Sequence, residues 1–157
     1  MLFRSDYFVS GWGTGGTLTG AGQVLKAGRP DIRIVATEPA GASLLAGNAF
    51  SPHKIQGWTP DFLPDVLNPK VFDQLVPVTD EEGKQTARRL AAEEGIFVGV
   101  SAGATVAAAL KTAETAQPGS VLLAMLPDTG ERYLGGYLFE DLNAGSDDEW
   151  LASLDTK

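Results

Sequence analysis

Gly11-Trp12-Gly13-Thr14-Gly15-Gly16-Thr17 is the stretch that decides the fold. It lies between an apolar run, Tyr7-Phe8-Val9, and a segment of helical character over 18–27. A strand that stops at glycines and restarts as a helix leaves backbone N–H groups aimed at one spot. The helix dipole adds partial positive charge there, so an anion such as a phosphate fits. The glycines remove Cβ atoms that would hold a ligand away, and they permit positive φ where the chain turns. Thr14 and Thr17 add hydroxyl donors. The stretch reads as a phosphate cradle.

Outward from it, strand and helix signals alternate. Strands are expected over 7–10, 32–37, 75–78, 96–100 and 121–126, with Glu38-Pro39 ending the second. Helices are expected over 18–27, closed by Gly28 and Pro30, and from Thr79-x-x-Glu82, a capping box, to a glycine stop at Gly95. An alanine-rich helix follows Ser101 and runs to about Ala116, and a helical turn is expected at 42–46. Its many alanines suggest close approach to a neighbouring element. The alternation predicts one α/β domain with an open, mainly parallel sheet of about four to five strands and helices on both faces. The domain is expected over 1–142, with 143–157 as a loosely attached acidic tail in which Trp150, Leu151 and Leu154 are docking candidates. Residues 47–68 are a long irregular connection, of the kind that usually carries function. Junctions after Ser10, Val100 and Leu126 are predicted to face one pocket beyond the carboxyl ends of the strands.

Composition narrows the function classes. A net charge of −8 over 157 residues argues against nucleic-acid binding, which needs a basic surface. With no cysteine and one histidine, disulfides, thiolate catalysis and multi-histidine metal sites are excluded, and no metal is expected. The lack of cysteine fits a reducing, cytoplasmic setting. No apolar run approaches the roughly 20 residues that span a bilayer, so no membrane partner is expected. The opening five residues are too short for a signal peptide.

Two motifs compete with the phosphate cradle. Gly11, Gly13 and Gly16 match G-x-G-x-x-G, and Glu38 stands close to the offset of a ribose-binding acid, so an NAD-binding Rossmann-type domain is an alternative. That reading makes nicotinamide-cofactor binding sensitive to Glu38, whereas the cradle reading expects indifference to it. Gly99-Val100-Ser101-Ala102-Gly103 matches G-x-S-x-G, but a hydrolase needs a histidine after the serine, and His53 precedes it. Ser101 could otherwise be a helix N-cap. His53 reads as a hydrogen-bonded surface group, Arg88-Arg89 and Glu93-Glu94 as a solvated helix face, and Glu131-Arg132-Tyr133 as a salt-bridged corner.

Four ordered stretches, Gly13-Thr14-Gly15-Gly16-Thr17, Pro52-His53-Lys54-Ile55-Gln56-Gly57, Val98-Gly99-Val100-Ser101-Ala102-Gly103 and Leu126-Pro127-Asp128-Thr129-Gly130-Glu131-Arg132-Tyr133-Leu134, resemble the carboxyl-terminal half of cysteine synthase (O-acetylserine sulfhydrylase). That is a pyridoxal-phosphate family of fold type II, the tryptophan-synthase-β class. The resemblance implies β-replacement of O-acetylserine by sulfide, giving cysteine and acetate, in amino-acid biosynthesis, by a full-length homodimer. It displaces the dinucleotide reading. It implies that Gly13, Thr14, Gly15, Gly16 and Thr17 hold the 5′-phosphate of pyridoxal 5′-phosphate. It implies that Ser101 hydrogen-bonds the pyridine nitrogen, that the loop at Gly57 lines the substrate face, and that the Asp128 loop borders the ring-nitrogen end. A serine hydroxyl does not keep that nitrogen protonated as a carboxylate would, and the milder electron sink suits β-elimination and replacement.

The family's Schiff-base lysine and its substrate-carboxylate loop belong to an amino-terminal domain, and no lysine here has the matching context. No catalytic residue is therefore assigned, and the chain is expected to be inactive alone. Gly135-Gly136 stands where the family usually has Ser-Thr, and the first five residues do not match. These departures suggest a truncated, fused or partial sequence. A non-catalytic phosphate-binding or complementing module is the alternative from a different functional class.

Overall fold

The computed structural model describes residues 4–142 and 145–154. Four parallel strands, β1 (Tyr7–Gly11), β2 (Arg33–Pro39), β3 (Gln74–Val78) and β4 (Leu122–Ala124), form one sheet in the order β3-β2-β1-β4. Tyr7 pairs with Arg33 on one side and Leu122 on the other, and Val35 pairs with Gln74. All-parallel strands buried on both faces read as continuous apolar runs, as Phe8-Val9 and Ile34-Val35-Ala36 do.

Successive residues point to opposite faces. Phe8, Ile34 and Ala36 pack with Leu18 and Leu25 of α1 (Gly16–Gly28). Val9, Val35, Val76 and Val78 pack with Val100, Ala104, Ala107 and Ala108 of α3 (Val100–Ala113). Helix α2 (Asp80–Glu94) lies on α3, its most extensive helix partner. The expected two-faced α/β architecture is what the chain forms. Strand order reverses at β1, so the crevice at its carboxyl end is the ligand position that doubly wound sheets use.

The capping box is formed: Thr79 Oγ1 accepts the Glu82 N–H at 3.2 Å, and Glu82 Oε2 accepts the Thr79 N–H at 2.8 Å. Gly95 ends α2 at φ 69°, a left-handed cap. The small residues of α3 do allow close approach. A Cβ on Gly103 would lie 2.6 Å from the Ala87 backbone nitrogen.

Several expectations are corrected. No strand forms over 96–100: Val98 makes a lone antiparallel bridge to Thr129, and Ile96 and Phe97 are 43% and 37% exposed. The segment is held between the left-handed cap at Gly95 and the start of α3 at Val100, and its one backbone pairing is with the loop after β4, so it joins no strand of the sheet. β2 extends through Glu38 and Pro39, which pair with Pro77 and Val78. In place of the one helical turn expected at 42–46, a 3-10 turn at Ala40–Ala42 is followed by a turn over 44–47, in which the Gly47 N–H donates to the Leu44 carbonyl at 2.9 Å. Arg88 leaves the solvated face to bind Asp141 and to donate to the Leu138 carbonyl at 2.8 Å, while Arg89 pairs with Glu93 in the open. Within the tail, Asp147–Leu154 forms a short helix, α4, and Leu151 is 54% exposed. Residues 143–144 and 155–157, and the side chains of Trp150 and Leu154, lie outside the described residues.

Candidate functional site

A cavity of about 320 Å³ opens at the carboxyl end of β1, within the range of small-ligand sites. Its floor is the 10–18 segment, one wall is Gln56-Gly57-Trp58, and the opposite side is Ser101 and Thr105 of α3 with Met125, Pro127, Asp128 and Tyr133. Gly13, Thr14, Gly15, Gly16, Thr17, Gly57 and Ser101, the residues singled out from sequence, therefore share one space. So do two of the three junctions, those after Ser10 and Leu126. The third contributes as a helix start and not a strand end.

The cradle follows from local backbone chemistry. Gly15 is the N-cap of α1 in the left-handed region, φ 84°, and no side chain caps the helix. The first N–H groups of an α-helix have no partner within the helix. Gly15 is pressed against Leu67, whose Cβ would be 2.6 Å from an added methyl. A Cβ on Gly13 would overlap the Gly57 carbonyl oxygen, and one on Gly11 would overlap the Trp58 ring. Among the described residues, the hydroxyls of Thr14 and Thr17 have no hydrogen-bond partner. Backbone donors, hydroxyl donors, a helix N-terminus and the room left by missing Cβ atoms fit a phosphate monoester.

Ser101 is not the N-cap of α3. That position is Gly99, with no side-chain cap, and Ser101 sits in the first turn. Its carbonyl accepts the Thr105 hydroxyl at 3.0 Å, while its own hydroxyl, on a residue only 3% exposed, has no partner among the described residues. Ser101 lines the cavity, where a bound group can supply the partner its hydroxyl lacks. Beside it, Asp128 Oδ1 is buried and unpartnered, and Oδ2 accepts the Tyr133 hydroxyl. Burial first, and then this hydrogen bond, pushes the Tyr133 phenol up to about 12. The corner at Gly130–Tyr133 is thus held by a tyrosine–aspartate bond, with no ion pair between Glu131 and Arg132 among the described residues.

Glu38 is not available to a ribose. It is fully buried, and its carboxylate accepts the Trp12 indole N–H at 3.2 Å, the Ser43 hydroxyl at 2.5 Å and the Leu45 N–H at 3.1 Å. This leaves the ribose-acid alternative without its acid, and it ties Glu38 to Trp12 of the glycine loop. His53 Nε2 lies 3.0 Å from the Thr59 carbonyl oxygen, in keeping with a hydrogen-bonded loop histidine. Sequence reasoning missed Trp12 and Trp58, both nearly buried and both lining the cavity. Trp12 occupies a free position of the glycine pattern, where spacing gives no signal.

Fold and site together define an α/β domain with an anion-suited cavity at the switch point of its sheet, and comparison with known proteins gives its class. The family model described as "Pyridoxal-phosphate dependent enzyme" matches residues 3–128. The chain belongs to that family, whose cofactor is pyridoxal phosphate. O-ureido-L-serine synthase of Streptomyces lavendulae is 60% identical over 98% of this chain and 47% of its own length. A probable cysteine synthase of Bacillus subtilis is 49% identical over 81% of this chain and 41% of its own. A crystal structure of O-ureido-L-serine synthase superimposes with TM-score 0.89 at 59% identity, over 95% of this chain and 47% of that one. The chain spans about half the length of the curated relatives it matches.

Proposed function

We propose that this chain supplies the phosphate-binding and ring-nitrogen side of a pyridoxal-phosphate-dependent β-replacement enzyme acting on an O-acylated serine. The observation that carries the reading is the convergence of two unpartnered donor sets, the 13–17 loop and the Ser101 hydroxyl, on one cavity. The loop would hold the 5′-phosphate through the first N–H groups of α1 and the Thr14 and Thr17 hydroxyls. Ser101 would donate to the pyridine nitrogen, and the Gly57-Trp58 wall would border the substrate. When bound, the pyridine ring supplies the electron sink that lets the β-substituent leave. The amine that would hold the cofactor covalently comes, in this proposal, from outside residues 1–157.

O-acetylserine and sulfide are the first substrate pair, giving cysteine and acetate. A second reading, O-ureido-L-serine formation with hydroxyurea as the oxygen nucleophile, is favoured by the higher identity to O-ureido-L-serine synthase than to the cysteine synthases. The full-length protein is proposed to be a homodimer.

The test mixes the chain with the separately expressed amino-terminal half of the Streptomyces relative, pyridoxal phosphate and O-acetyl-L-serine, and offers sulfide or hydroxyurea. Cysteine or O-ureido-L-serine as product assigns the nucleophile. Cofactor binding with neither product, in an assembled pair, makes the chain a non-catalytic module.

A further inference from the structure

We infer that Glu38 is a positioning residue that sets both loops of the cavity through one tryptophan. The carboxylate lies at the end of β2, with no exposure. A buried carboxyl group needs hydrogen-bond donors around it, and those donors fix its geometry. Its donors come from two places: the Trp12 indole in the phosphate loop, and the Ser43 hydroxyl and Leu45 N–H in the turn after β2. Trp12 is 2% exposed, and its carbonyl accepts the Thr59 N–H at 2.9 Å.

Thr59 is the one non-glycine among the described residues with positive φ, 34°, and a β-branched side chain resists that conformation. Bonds on either side hold it: its N–H to Trp12, and its carbonyl beside His53. Immediately before it, Trp58 stacks where a Cβ on Gly11 would be, and the Gly57 carbonyl abuts Gly13. The chain of contacts runs Glu38, Trp12, Thr59, and it crosses from the phosphate loop to the substrate-side loop. Among the described residues the Trp12 indole is also the only side-chain group of the 11–17 loop with a hydrogen-bond partner. The loop's hydroxyls are left for a ligand, and its placement depends on Glu38.

The ligand part of this inference rests on the proposed phosphate site; the loop coupling does not. Four variants of the full chain test it: Glu38→Gln, Trp12→Phe, the double variant, and Leu25→Ala as a reference that loosens α1 away from the cavity. Calorimetric titration with pyridoxal phosphate and with inorganic phosphate is paired with amide hydrogen exchange over 12–17 and 57–59. Glu38→Gln and Trp12→Phe are each expected to weaken pyridoxal phosphate about tenfold, the loss typical of misplacing a hydrogen-bond donor. The double variant is expected to be no weaker than either, because both changes cut one pathway. Protection is expected to fall in both loops together in Glu38→Gln, and in neither in Leu25→Ala.

Unchanged exchange in Glu38→Gln, additive losses, or an equal loss of affinity in Leu25→Ala at matched stability would overturn the inference. If the unmodified chain binds neither ligand, the phosphate reading fails, and the exchange result alone decides the coupling. Should Glu38→Gln not fold, Trp12→Phe, which removes the indole donor and keeps an aromatic ring, carries the same comparison.

Discussion

Gly13 and Gly57 are in backbone contact: the Gly57 carbonyl oxygen occupies the space a Cβ on Gly13 would need. The 11–17 loop and the 56–59 loop therefore close on each other at this point without side chains between them. Gly13→Ala is expected to pry them apart and weaken pyridoxal-phosphate binding at least about tenfold, as a steric clash with rigid backbone costs about 1–3 kcal/mol. Gly20, also in the early part of α1, meets nothing within 4 Å. Gly20→Ala is expected to stabilise the chain by about 0.5–1 kcal/mol and leave binding unchanged. Calorimetry and urea melts of the two variants check both expectations.

Helices α2 and α3 are close because Gly103 has no side chain. A Cβ there would overlap the Gly83 carbonyl oxygen and lie 2.6 Å from the Ala87 nitrogen. Gly103→Ala is expected to destabilise the chain by about 1–3 kcal/mol, since backbone of a neighbouring helix yields poorly. Ser101 stands one half-turn away on α3, so the same variant is expected to weaken cofactor binding as well. Denaturant unfolding gives the first quantity and titration the second.

The reciprocal bonds of Thr79 and Glu82 fix the start of α2. Thr79→Ala removes the acceptor for one orphan N–H and is expected to cost about 1 kcal/mol in a urea melt, with no change at the cavity. Glu82 is also held below the usual carboxylate range: burial opposes this, and the Lys111 ammonium and the Thr79 donors outweigh it.

Tyr133 gives the chain an alkaline limit. Its folded-state phenol, pushed up to about 12 by burial and by Asp128, lies above the ordinary value of 10.0. The neutral phenol is thus favoured by folding. Its contribution is fully present below about pH 10 and is lost as pH rises through about 12. Tyr133→Phe is expected to flatten that part of the stability–pH profile. It is also expected to cost about 1–3 kcal/mol at neutral pH by leaving the Asp128 carboxylate without its donor. Urea melts at stepped alkaline pH, with tyrosinate absorbance followed in parallel, check both.

What sequence could and could not convey divides by range of interaction. The glycine run at 11–17 and the Thr79–Glu82 box were legible because strand ends, glycine freedom and helix caps are decided within a few residues. Ile96-Phe97-Val98 misled for the complementary reason. An apolar run reads as a buried strand, yet here two of its residues are exposed and its one sheet-like pairing is the bridge to Thr129. Glu38 stands out in the sequence for a chemistry that its burial excludes. Its offset from the glycines matched a ribose acid, while its real partner, the Trp12 indole, lies 26 residues away in sequence and is visible only in three dimensions. Ser101 stands out through the motif around it, whereas its place on the cavity wall is a property of the packed fold.

The most direct test of the central claim is a titration of the chain with pyridoxal phosphate, with pyridoxal, and with pyridoxal phosphate in competition with inorganic phosphate, repeated for Thr17→Val. A cradle built from Gly13 to Thr17 predicts that pyridoxal phosphate binds, that inorganic phosphate displaces it, that pyridoxal binds far more weakly, and that Thr17→Val loses affinity. Equal binding of pyridoxal and pyridoxal phosphate, with no competition by phosphate, would contradict it.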